Sequence, residues 1–485
     1  MNSSDRATGR QFAIALLAGC TALLVYFPTA SRSLGWHDAA ELAYTAWALG
    51  ASHAPGSPMH SVLGFLTTRI ATEPFQGVVL LSVFTASIAA GLLALLLYLL
   101  RPSFSIALAA AMVFALSFQV WAAAVATEVY SLSMLFLAAA ILSGWLWRAH
   151  ATDKYFVAML CAYALALASY FGNILLLPAF LYLAWMAPAS SRRYLTFFVL
   201  GVALTTVLIG LANYLLAKNA APFGEIYPDS IWNLILYMTG SQHDPLQFRD
   251  VSFILMRIAE HAAIFTRSIF YLGVPLAAVG AYYMDRLDRV FGLFILGIFA
   301  IYIGYYTLFG PGDYYMMVIP AYFVAALWVG LGGAYLSDKL SRPWGNMLGW
   351  LCPAVLAAGL LLMQFDGRRA MAVAMDSERF AEIAFAVLPE NAIAITGWKE
   401  YAVLNYFQAV HGRRPDVRVV VPARTRRQYS HGEVQDYLEF IAVSICDGPV
   451  FTTKNLPEMQ PDFDLLQDDD TAPWALMRPR TECQQ

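Results

Sequence analysis

The feature that most constrains this chain is a set of long stretches without a single charged residue. Six examples, each longer than the roughly 20 residues that a helix needs to cross a bilayer, are residues 74–100, 102–127, 194–217, 290–312, 314–337 and 343–365. Charged residues make up only 13% of the 485 residues, against about 25% in soluble domains. A soluble core could not hide so much apolar surface, so the sequence predicts a polytopic α-helical membrane protein.

Weaker apolar stretches lie between these six, and together they predict about eleven spans. The predicted spans are residues 11–29, 76–100, 103–123, 130–147, 155–170, 173–188, 194–217, 263–284, 290–309, 314–336 and 344–365. Residues 155–191 carry no charge, so they could form one long span or two short spans that break at Gly172 and Asn173. Two spans keep the positive charges of all later loops on one side, which favours that interpretation.

Lys and Arg residues occur in alternate short connections, which are residues 101, 148–154, 192–193, 285–289 and 339–342. Because positively charged loops stay in the cytoplasm, a cytoplasmic N-terminus places all of these connections inside. The larger segments 30–75 and 218–262, and everything after the last span, then face outward. We therefore predict a membrane domain at residues 1–366 and an extracytoplasmic domain at residues 367–485.

The C-terminal region has a different pattern, in which helical and strand-like segments alternate. Helices are predicted at 371–388, 398–411 and 432–445, and short apolar strands at 392–396, 417–421 and 450–452. This alternation indicates a small α/β fold. Cys446 and Cys483 lie in this region and could pair, whereas the other three cysteines fall inside apolar spans.

The first outer loop, residues 30–75, holds the richest cluster of polar residues in the membrane half. Asp38 and Glu41 are three residues apart, so a helix would place both carboxylates on one face. Prolines and histidines interrupt the apolar piece 42–68, which favours amphipathic helices at the membrane surface over another span. From the residues alone, a functional site and a solvated interfacial loop are about equally good interpretations.

Further polar residues share the outer side of the predicted topology. They are Glu128, Asn173, Arg249, Arg257, Arg267 and Asp313. Each of them alone is typical of a helix cap or of a contact with lipid headgroups. Their common side strengthens the functional interpretation of the first outer loop.

Several short motifs resemble those of a known family. His37-Asp38-Ala-Ala-Glu41 and the later Leu-Gly-Ala-Ser-His53-Ala-Pro-Gly-Ser-Pro resemble its Asp-Ser-Gly-Glu and Leu-Gly…His-Pro-Pro-Gly-Tyr-Pro patterns. Glu128-Val-Tyr130-Ser-Leu, Gly172-Asn173, the segment 395–398 and Arg414-Pro-Asp-Val-Arg resemble further motifs. The family consists of membrane glycosyltransferases; it includes the eukaryotic endoplasmic-reticulum O-mannosyltransferase for plexin-type immunoglobulin-like domains, and bacterial relatives long labelled a domain of unknown function. Two residues depart from the pattern. Ile174 stands where the family has His, and Trp398 stands where the family often has Asp.

The resemblance implies a GT-C type fold and an inverting glycosyltransferase of a bacterial inner membrane, with its active site on the periplasmic face. Such an enzyme moves a sugar, mannose or another hexose, from a polyprenyl-phosphate donor to a hydroxyl of a protein, glycan or lipid. Asp38 matches the general base and Glu41 accompanies it as a catalytic residue. Donor or acceptor contacts are expected from His37, His53, Glu128, Tyr130, Asn173, Arg249, Arg257, Arg267 and Asp313.

No metal is expected, because arginine suits the departing phosphate and the acids lack a metal-like His or Cys cluster. Mg²⁺ or Mn²⁺ on Asp38, Glu41 and Glu128 is the alternative. A net charge of −3 gives no indication of nucleic-acid binding.

Two other functional classes fit a polytopic chain. A secondary transporter would be expected to show inverted repeats and broken helices, and no internal repeat is visible in the sequence. A flippase or polymerase of lipid-linked glycans has no particular need for carboxylates in the first outer loop.

The charge bias predicts that the region after the last span lies outside the cytoplasm. A reporter that is active only outside the cytoplasm, fused after Gln485, should therefore be active. The same reporter inserted in the basic connection at 148–154 is the control and should be silent. Activity of a cytoplasm-only reporter after Gln485 would contradict the predicted topology.

Overall fold

The computed structural model describes residues 3–186, 191–220, 228–241, 251–309, 314–341, 343–420, 449–453, 463–467 and 474–479. The helices of the membrane half are α1 (Ser3–Thr29), α2 (Asp38–Ala48), α3 (Pro58–Thr68), α4 (Pro74–Leu100), α5 (Phe104–Ala115), α6 (Phe118–Ala124), α7 (Tyr130–His150), α8 (Asp153–Ser169), a 3₁₀ helix (Phe171–Leu176), α9 (Leu177–Trp185), α10 (Ser191–Ala217), α11 (Ile231–Thr239), α12 (Val251–Ser268), α13 (Gly273–Leu287), α14 (Arg289–Thr307), α15 (Tyr314–Met317), α16 (Ile319–Lys339) and α17 (Trp344–Ala372).

The prediction of a polytopic helical membrane protein is confirmed. Among the described residues, seven helices are long and apolar enough to cross a bilayer, or up to nine if each of two bent pairs counts as one span. The predicted spans 155–170 and 173–188 correspond to the shorter α8 and to the 3₁₀ helix with α9. A break at Tyr170, where the backbone is extended, divides these two segments as the charge bias favoured.

Two predicted spans are not the continuous helices that the sequence suggested. The span predicted at 103–123 bends by 73° between α5 and α6, and the one predicted at 263–284 bends by 93° between α12 and α13. Phe270 and Tyr271 have left-handed φ values of 58° and 45°, a conformation in which a right-handed helix cannot continue. The apolar composition of these two segments does not predict either break, because composition does not depend on local backbone conformation.

The central helix of the membrane half is α16, of whose apolar window 89% is buried. It packs against α13 at backbone distance, since a Cβ on Gly280 would lie 1.7 Å from the Trp328 carbonyl oxygen. Likewise, a Cβ on Gly332 would lie 2.1 Å from the carbonyl oxygen of Leu276. Small residues at such crossings let membrane helices approach closely, which compensates for the weak hydrophobic drive in lipid.

The first outer loop folds into two short helices, α2 and α3, as its prolines and histidines predicted. Each has 11 residues, about 16 Å of helix, which is too short to cross a bilayer. His37 before α2 and Leu49 after it have left-handed φ values of 55° and 52°. These two residues delimit α2 and position its first turn, which carries Asp38 and Glu41.

The C-terminal region contains the predicted small α/β fold. Its elements are α18 (Asp376–Val387), β1 (Ile393–Ile395), α19 (Trp398–His411), β2 (Arg418–Val420), β3 (Val450–Thr452), β4 (Phe463–Gln467) and β5 (Ala475–Pro479). The sheet order is β2-β1-β3-β5-β4, with β1 parallel to β2 and β3, and β5 antiparallel to β3 and β4. The helix predicted at 432–445, Cys446 and Cys483 lie outside the described residues.

The predicted strands at 392–396, 417–421 and 450–452 and the helix at 398–411 are therefore confirmed, to within a residue or two at their ends. The helix predicted at 371–388 is two helices, because α17 runs on to Ala372 and α18 begins at Asp376. The predicted domain boundary at 366/367 thus falls inside α17 and stays a prediction.

The C-terminal region is docked onto the first outer loop. Glu378 at the start of α18 accepts hydrogen bonds from the Ser33 hydroxyl (2.6 Å) and the Leu34 backbone N–H (2.7 Å). The Trp36 ring packs against Phe380, with 5.4 Å between centroids, and the Lys399 ammonium lies 4.2 Å above the Trp36 ring. The loop therefore folds between the membrane helices and the C-terminal region.

The Arg-Pro-Asp-Val-Arg motif has a structural role. The Arg414 guanidinium donates hydrogen bonds to the carbonyl oxygens of Phe385 (2.5 Å), Leu388 (2.9 Å) and Pro389 (2.8 Å), which end α18. It also lies 2.8 Å from the Asp416 carboxylate, and this contact lowers the pKa of Asp416 to about 2. One arginine thus joins the end of α18 to the turn before β2.

Replacing Arg414 by Lys should destabilise the C-terminal region, because an ammonium cannot reach three carbonyls and a carboxylate together. The lysine variant loses most of these contacts, so earlier cleavage of the full-length protein in limited proteolysis is expected. Arg413→Lys at the exposed neighbour is the matched control. Because the Asp416 pKa is lowered, the contribution of this pair is present above pH 4 and lost as the pH falls towards about 2. Equal protease resistance of both variants would contradict this role.

Candidate active site

The acids of the first outer loop lie in the first turn of α2. Asp38 is the first residue of that helix and Glu41 lies three positions on, so both side chains project from one face, as their spacing predicted. Carboxylates are stabilised at a helix N-terminus by the free N–H groups and the helix dipole. The turn is therefore a favourable place to hold two acids close together.

Glu41 orients His53. The Glu41 side chain is fully buried, and its two carboxylate oxygens accept hydrogen bonds from the His53 backbone N–H and from the ring Nδ1, each at 2.5 Å. An ionised carboxylate can only accept, so the His53 Nδ1 donates to Glu41, and Nε2 is the other ring nitrogen. Nε2 faces Asp38, whose Oδ2 lies 3.7 Å away.

Asp38 is more accessible than Glu41 and is held from two sides. Its side chain is 29% exposed, and its Oδ1 accepts a hydrogen bond of 3.1 Å from the indole N–H of Trp398. The rings of Trp398 and His53 meet edge to face, with 6.5 Å between centroids. Trp398 is the first residue of α19, so the C-terminal region contributes directly to the surroundings of Asp38.

Asp38, Glu41 and His53 could together hold a metal ion. Each offers one ligand atom, and these three atoms lie within 4.8 Å of one another. A set of two carboxylates and one imidazole suits Mn²⁺ or Zn²⁺ better than Mg²⁺, which prefers oxygen ligands alone. The ligand set that the sequence offered as an alternative contained Glu128 in place of His53.

The site opens into a large cavity of about 880 Å³, a typical size for a small-molecule pocket. Its polar end is formed by His37, Asp38, His53 and Glu128. The rest of its wall is aromatic or apolar and includes Tyr130, Tyr170, Phe171, Ile174, Leu175, Met238, Tyr305, Tyr306, Phe309, Tyr315, Met316 and Met317. The hydroxyls of Tyr170 and Tyr306 lie 3.0 Å apart and join α14 to the segment before the 3₁₀ helix.

Two of the residues predicted to form the site, Asn173 and Arg267, are not among the residues that line the cavity. Asn173 is fully buried; its amide donates to Ser133 Oγ (2.7 Å) and the Ala166 carbonyl (2.9 Å) and accepts from the Tyr302 hydroxyl (2.6 Å). These contacts join α7, α8 and α14, while only the neighbours of Asn173 line the cavity. Arg267 lies apart from the cavity, with its guanidinium 5.4 Å from the centre of the Phe118 ring.

Arg257 lies beside the cavity. Its guanidinium is 4.0 Å from the centre of the Tyr314 ring, 3.1 Å from Glu260 and 3.4 Å from the carbonyl oxygen of Phe309, a cavity-lining residue. The predicted site residues Arg249 and Asp313 lie outside the described residues.

Most residues of the cavity wall were not predicted from the sequence. Tyr170 and Tyr306 are 136 positions apart, and neither belongs to a recognisable motif. Trp398 was noticed only as a departure from the family pattern, yet it donates to Asp38. His60, the last histidine of the loop, is buried without a hydrogen-bond partner among the described residues, and burial lowers its pKa to about 4, so it stays neutral.

The comparisons with known proteins begin with the first outer loop. Residues 38–193 match the family model described as the N-terminal domain of protein O-mannosyl-transferase TMEM260. This range begins at Asp38 and includes Glu41, His53, Glu128 and Tyr130. No curated protein sequence is significantly similar to the chain.

Solved structures match over almost the whole length. The crystal structure of ArnT from Cupriavidus metallidurans in the apo state has a TM-score of 0.58 at 12% identity, and the structure of ArnT bound to undecaprenyl phosphate has 0.60 at 10%. Each alignment covers 98% of both chains. The oligosaccharyltransferase of Archaeoglobus fulgidus, in complex with zinc and sulfate, has a TM-score of 0.53 at 13% identity, over 90% of this chain and 67% of the other.

At these identities the solved structures establish the fold, and the family model matches a segment that contains both Asp38 and Glu41. The chain is a multi-pass membrane protein with the GT-C type fold of the ArnT structures, and its residues 38–193 are similar to the N-terminal domain of protein O-mannosyl-transferase TMEM260.

Proposed function

We propose that this protein is an inverting glycosyltransferase that moves a sugar from a polyprenyl-phosphate donor to an acceptor hydroxyl. The observation that carries the proposal is the position of Asp38, which is partly exposed at the polar end of the cavity and held by Trp398 and His53. The undecaprenyl phosphate bound to ArnT, a protein of the same fold, supports a lipid-linked donor. The sequence relationship to an O-mannosyl-transferase supports mannose as the first sugar to test.

In the proposed reaction Asp38 is the general base. An acceptor hydroxyl beside Oδ2 loses its proton to this carboxylate while its oxygen forms a bond to the anomeric carbon. The bond between that carbon and the phosphate oxygen breaks on the opposite face, and the polyprenyl phosphate leaves with the electron pair. Attack opposite the leaving group inverts the anomeric configuration. Phosphate is already a good leaving group, so no general acid is needed.

Glu41 and Trp398 act on Asp38 in different ways. The indole N–H of Trp398 donates to Oδ1, and we assign proton acceptance to Oδ2, which faces His53 Nε2. Glu41 is fully buried and accepts two hydrogen bonds from His53, so we assign it to positioning His53. This deepens the role expected for Glu41, which becomes a positioning residue within the catalytic group.

The cavity wall suits an amphiphilic donor. His37, Glu128 and Tyr130 offer polar groups for sugar hydroxyls at the end that holds Asp38. Methionine, phenylalanine and leucine side chains farther along the wall offer an apolar surface for the prenyl chain. Arg257, behind Phe309, is the nearest described arginine of the predicted group to this wall and is our candidate for the phosphate.

The charge bias of the loops supports a location in the bacterial inner membrane with the site on the periplasmic face. On that face the acceptor is a hydroxyl of a protein, a glycan or a lipid. The name of the matching family favours a protein.

Replacing Asp38 by Asn should lower turnover by about 10²- to 10⁴-fold, the usual cost of losing a general base. The amide keeps the shape and can still accept from Trp398, so folding and donor binding should persist. Release of undecaprenyl phosphate from a panel of lipid-linked sugars, with acceptor present, measures the effect. Asp366→Asn, an exposed acid on α17, is the matched control. Turnover of Asp38→Asn equal to that control would place the base elsewhere, and Glu128→Gln would be the next variant.

The group that binds the departing phosphate can be identified by combining metal chelation with arginine variants. If Arg257 holds the departing phosphate, transfer should survive exhaustive chelation and fall at least about tenfold in Arg257→Lys, since one charged hydrogen bond is worth about 1.5–3 kcal/mol. Arg379→Lys on the exposed face of α18 is the control. Arg249→Lys and Arg267→Lys complete the series.

The contrary result is loss of activity on chelation with recovery on adding Mn²⁺ or Zn²⁺. That result would assign the phosphate to a metal on Asp38, Glu41 and His53, and His53→Ala should then raise the metal concentration needed for half-maximal activity. Arg257 would in that case only anchor α12 to the cavity wall.

A further inference from the structure

A second, smaller pocket lies at the end of α17, on the side of the membrane half where the first outer loop begins. Its volume is about 130 Å³, and none of its lining residues lines the cavity. Arg267, Arg368 and Gln364 are its polar lining residues, and the Phe118 ring lies beside them. We call these four residues, with the methionines beside them, the basic pocket. Ala372, four residues after Arg368, accepts a hydrogen bond from the Arg32 N–H, which locates the pocket near the first outer loop.

The basic pocket holds two guanidinium groups around one aromatic ring. The guanidinium carbon of Arg368 lies 4.5 Å from the centre of the Phe118 ring, and that of Arg267 lies 5.4 Å from it. Arg368 is only 8% exposed and donates a hydrogen bond of 2.7 Å to the Phe118 carbonyl. In the part of the chain that the structure describes, neither arginine has a carboxylate within ion-pair distance.

A buried cation without a counter-charge is costly, so this arrangement calls for an anion. Two guanidinium groups that line the same pocket can donate several hydrogen bonds to one phosphate. Gln364 adds an acceptor, because its Oε1 is buried without a partner among the described residues while its Nε2 donates to the Leu116 carbonyl (2.8 Å). The pocket can therefore take a phosphate and a neighbouring hydroxyl or protonated phosphate oxygen.

The rim of the basic pocket indicates that the phosphate belongs to a lipid. Leu362 is 82% exposed, Met363 51% and Met371 67%, and both methionines line the pocket. The charge-free part of α17 ends at residue 365, so Arg368 follows it within one helical turn, at the depth where headgroups meet protein. An acyl or prenyl chain could lie along these exposed apolar side chains while its phosphate contacts the arginines.

We propose that the basic pocket binds the phosphate of a membrane lipid, separately from the cavity that holds Asp38. An anionic phospholipid of the bilayer and a polyprenyl phosphate share the required chemistry, a phosphate on a long apolar chain. Binding would hold the end of α17 against α6, at the base of the C-terminal region. This inference does not depend on the proposed transfer reaction.

The test measures the thermal unfolding of full-length protein in a neutral detergent, after addition of phosphatidylglycerol, undecaprenyl phosphate or inorganic phosphate. We expect at least one of the two lipids to raise the melting temperature of the wild type. Arg368→Gln and the double variant with Arg267→Gln should need at least about tenfold more of that lipid for the same rise, as expected for loss of a charged hydrogen bond. Without lipid, Arg368→Gln should melt no lower than the wild type, because it removes a buried charge that has no carboxylate partner among the described residues. Arg369→Gln, the exposed neighbour, is the matched control and should behave as the wild type.

The three added compounds show which kind of phosphate the basic pocket binds. A rise with phosphatidylglycerol that is lost in Arg368→Gln identifies a bilayer lipid, and a rise confined to undecaprenyl phosphate that is lost in the same variant identifies a polyprenyl lipid. An equal rise with inorganic phosphate would overturn a lipid site, as would an unchanged lipid response in the double variant. Asp38→Asn should keep the lipid response, so a failed transfer reaction and a failed lipid site give different results.

Discussion

The candidate site depends above all on the contact between the buried Glu41 carboxylate and His53. Both carboxylate oxygens are used, one by the backbone N–H and one by the ring, so the loop that carries His53 is joined to the first turn of α2. A charge at a fully buried position is tolerable only with such complete pairing. This pairing turns the second ring nitrogen, Nε2, towards Asp38, which lines the cavity.

The C-terminal region is part of the same arrangement. Trp398 donates to Asp38, and Glu378 accepts from Ser33 and Leu34 at the start of the outer loop. The loop is therefore held on one side by membrane helices and on the other by α18 and α19. Two arginines near the site make different contacts. Arg414 joins the end of α18 to the turn before β2, and Arg257 borders the cavity.

Motif residues that look alike in sequence turned out to have different surroundings. Asp38 and Glu128 line the cavity, whereas Asn173 and Arg414 hydrogen-bond to backbone carbonyls that join helices or end them. A short motif records that a residue type is needed at a position, and both catalysis and packing can create that need. Contacts with residues distant in the chain distinguish catalysis from packing. One example is the Tyr302 hydroxyl, which donates to the Asn173 amide oxygen.

The sequence by itself determined the membrane class, most of the spans, the two short helices of the outer loop and the alternation of the C-terminal fold. These follow from local rules, because lipid requires long apolar helices and three-residue spacing places Asp38 beside Glu41. Only the tertiary structure decided that α12 and α13 form a 93° bend, that the Asn173 amide bonds to α7, α8 and α14, and that Trp398 reaches Asp38 across 360 positions. The physical reason is that a bend depends on the φ angles of a few residues and a hydrogen bond on atoms within about 3 Å, and neither leaves a periodic trace in the sequence.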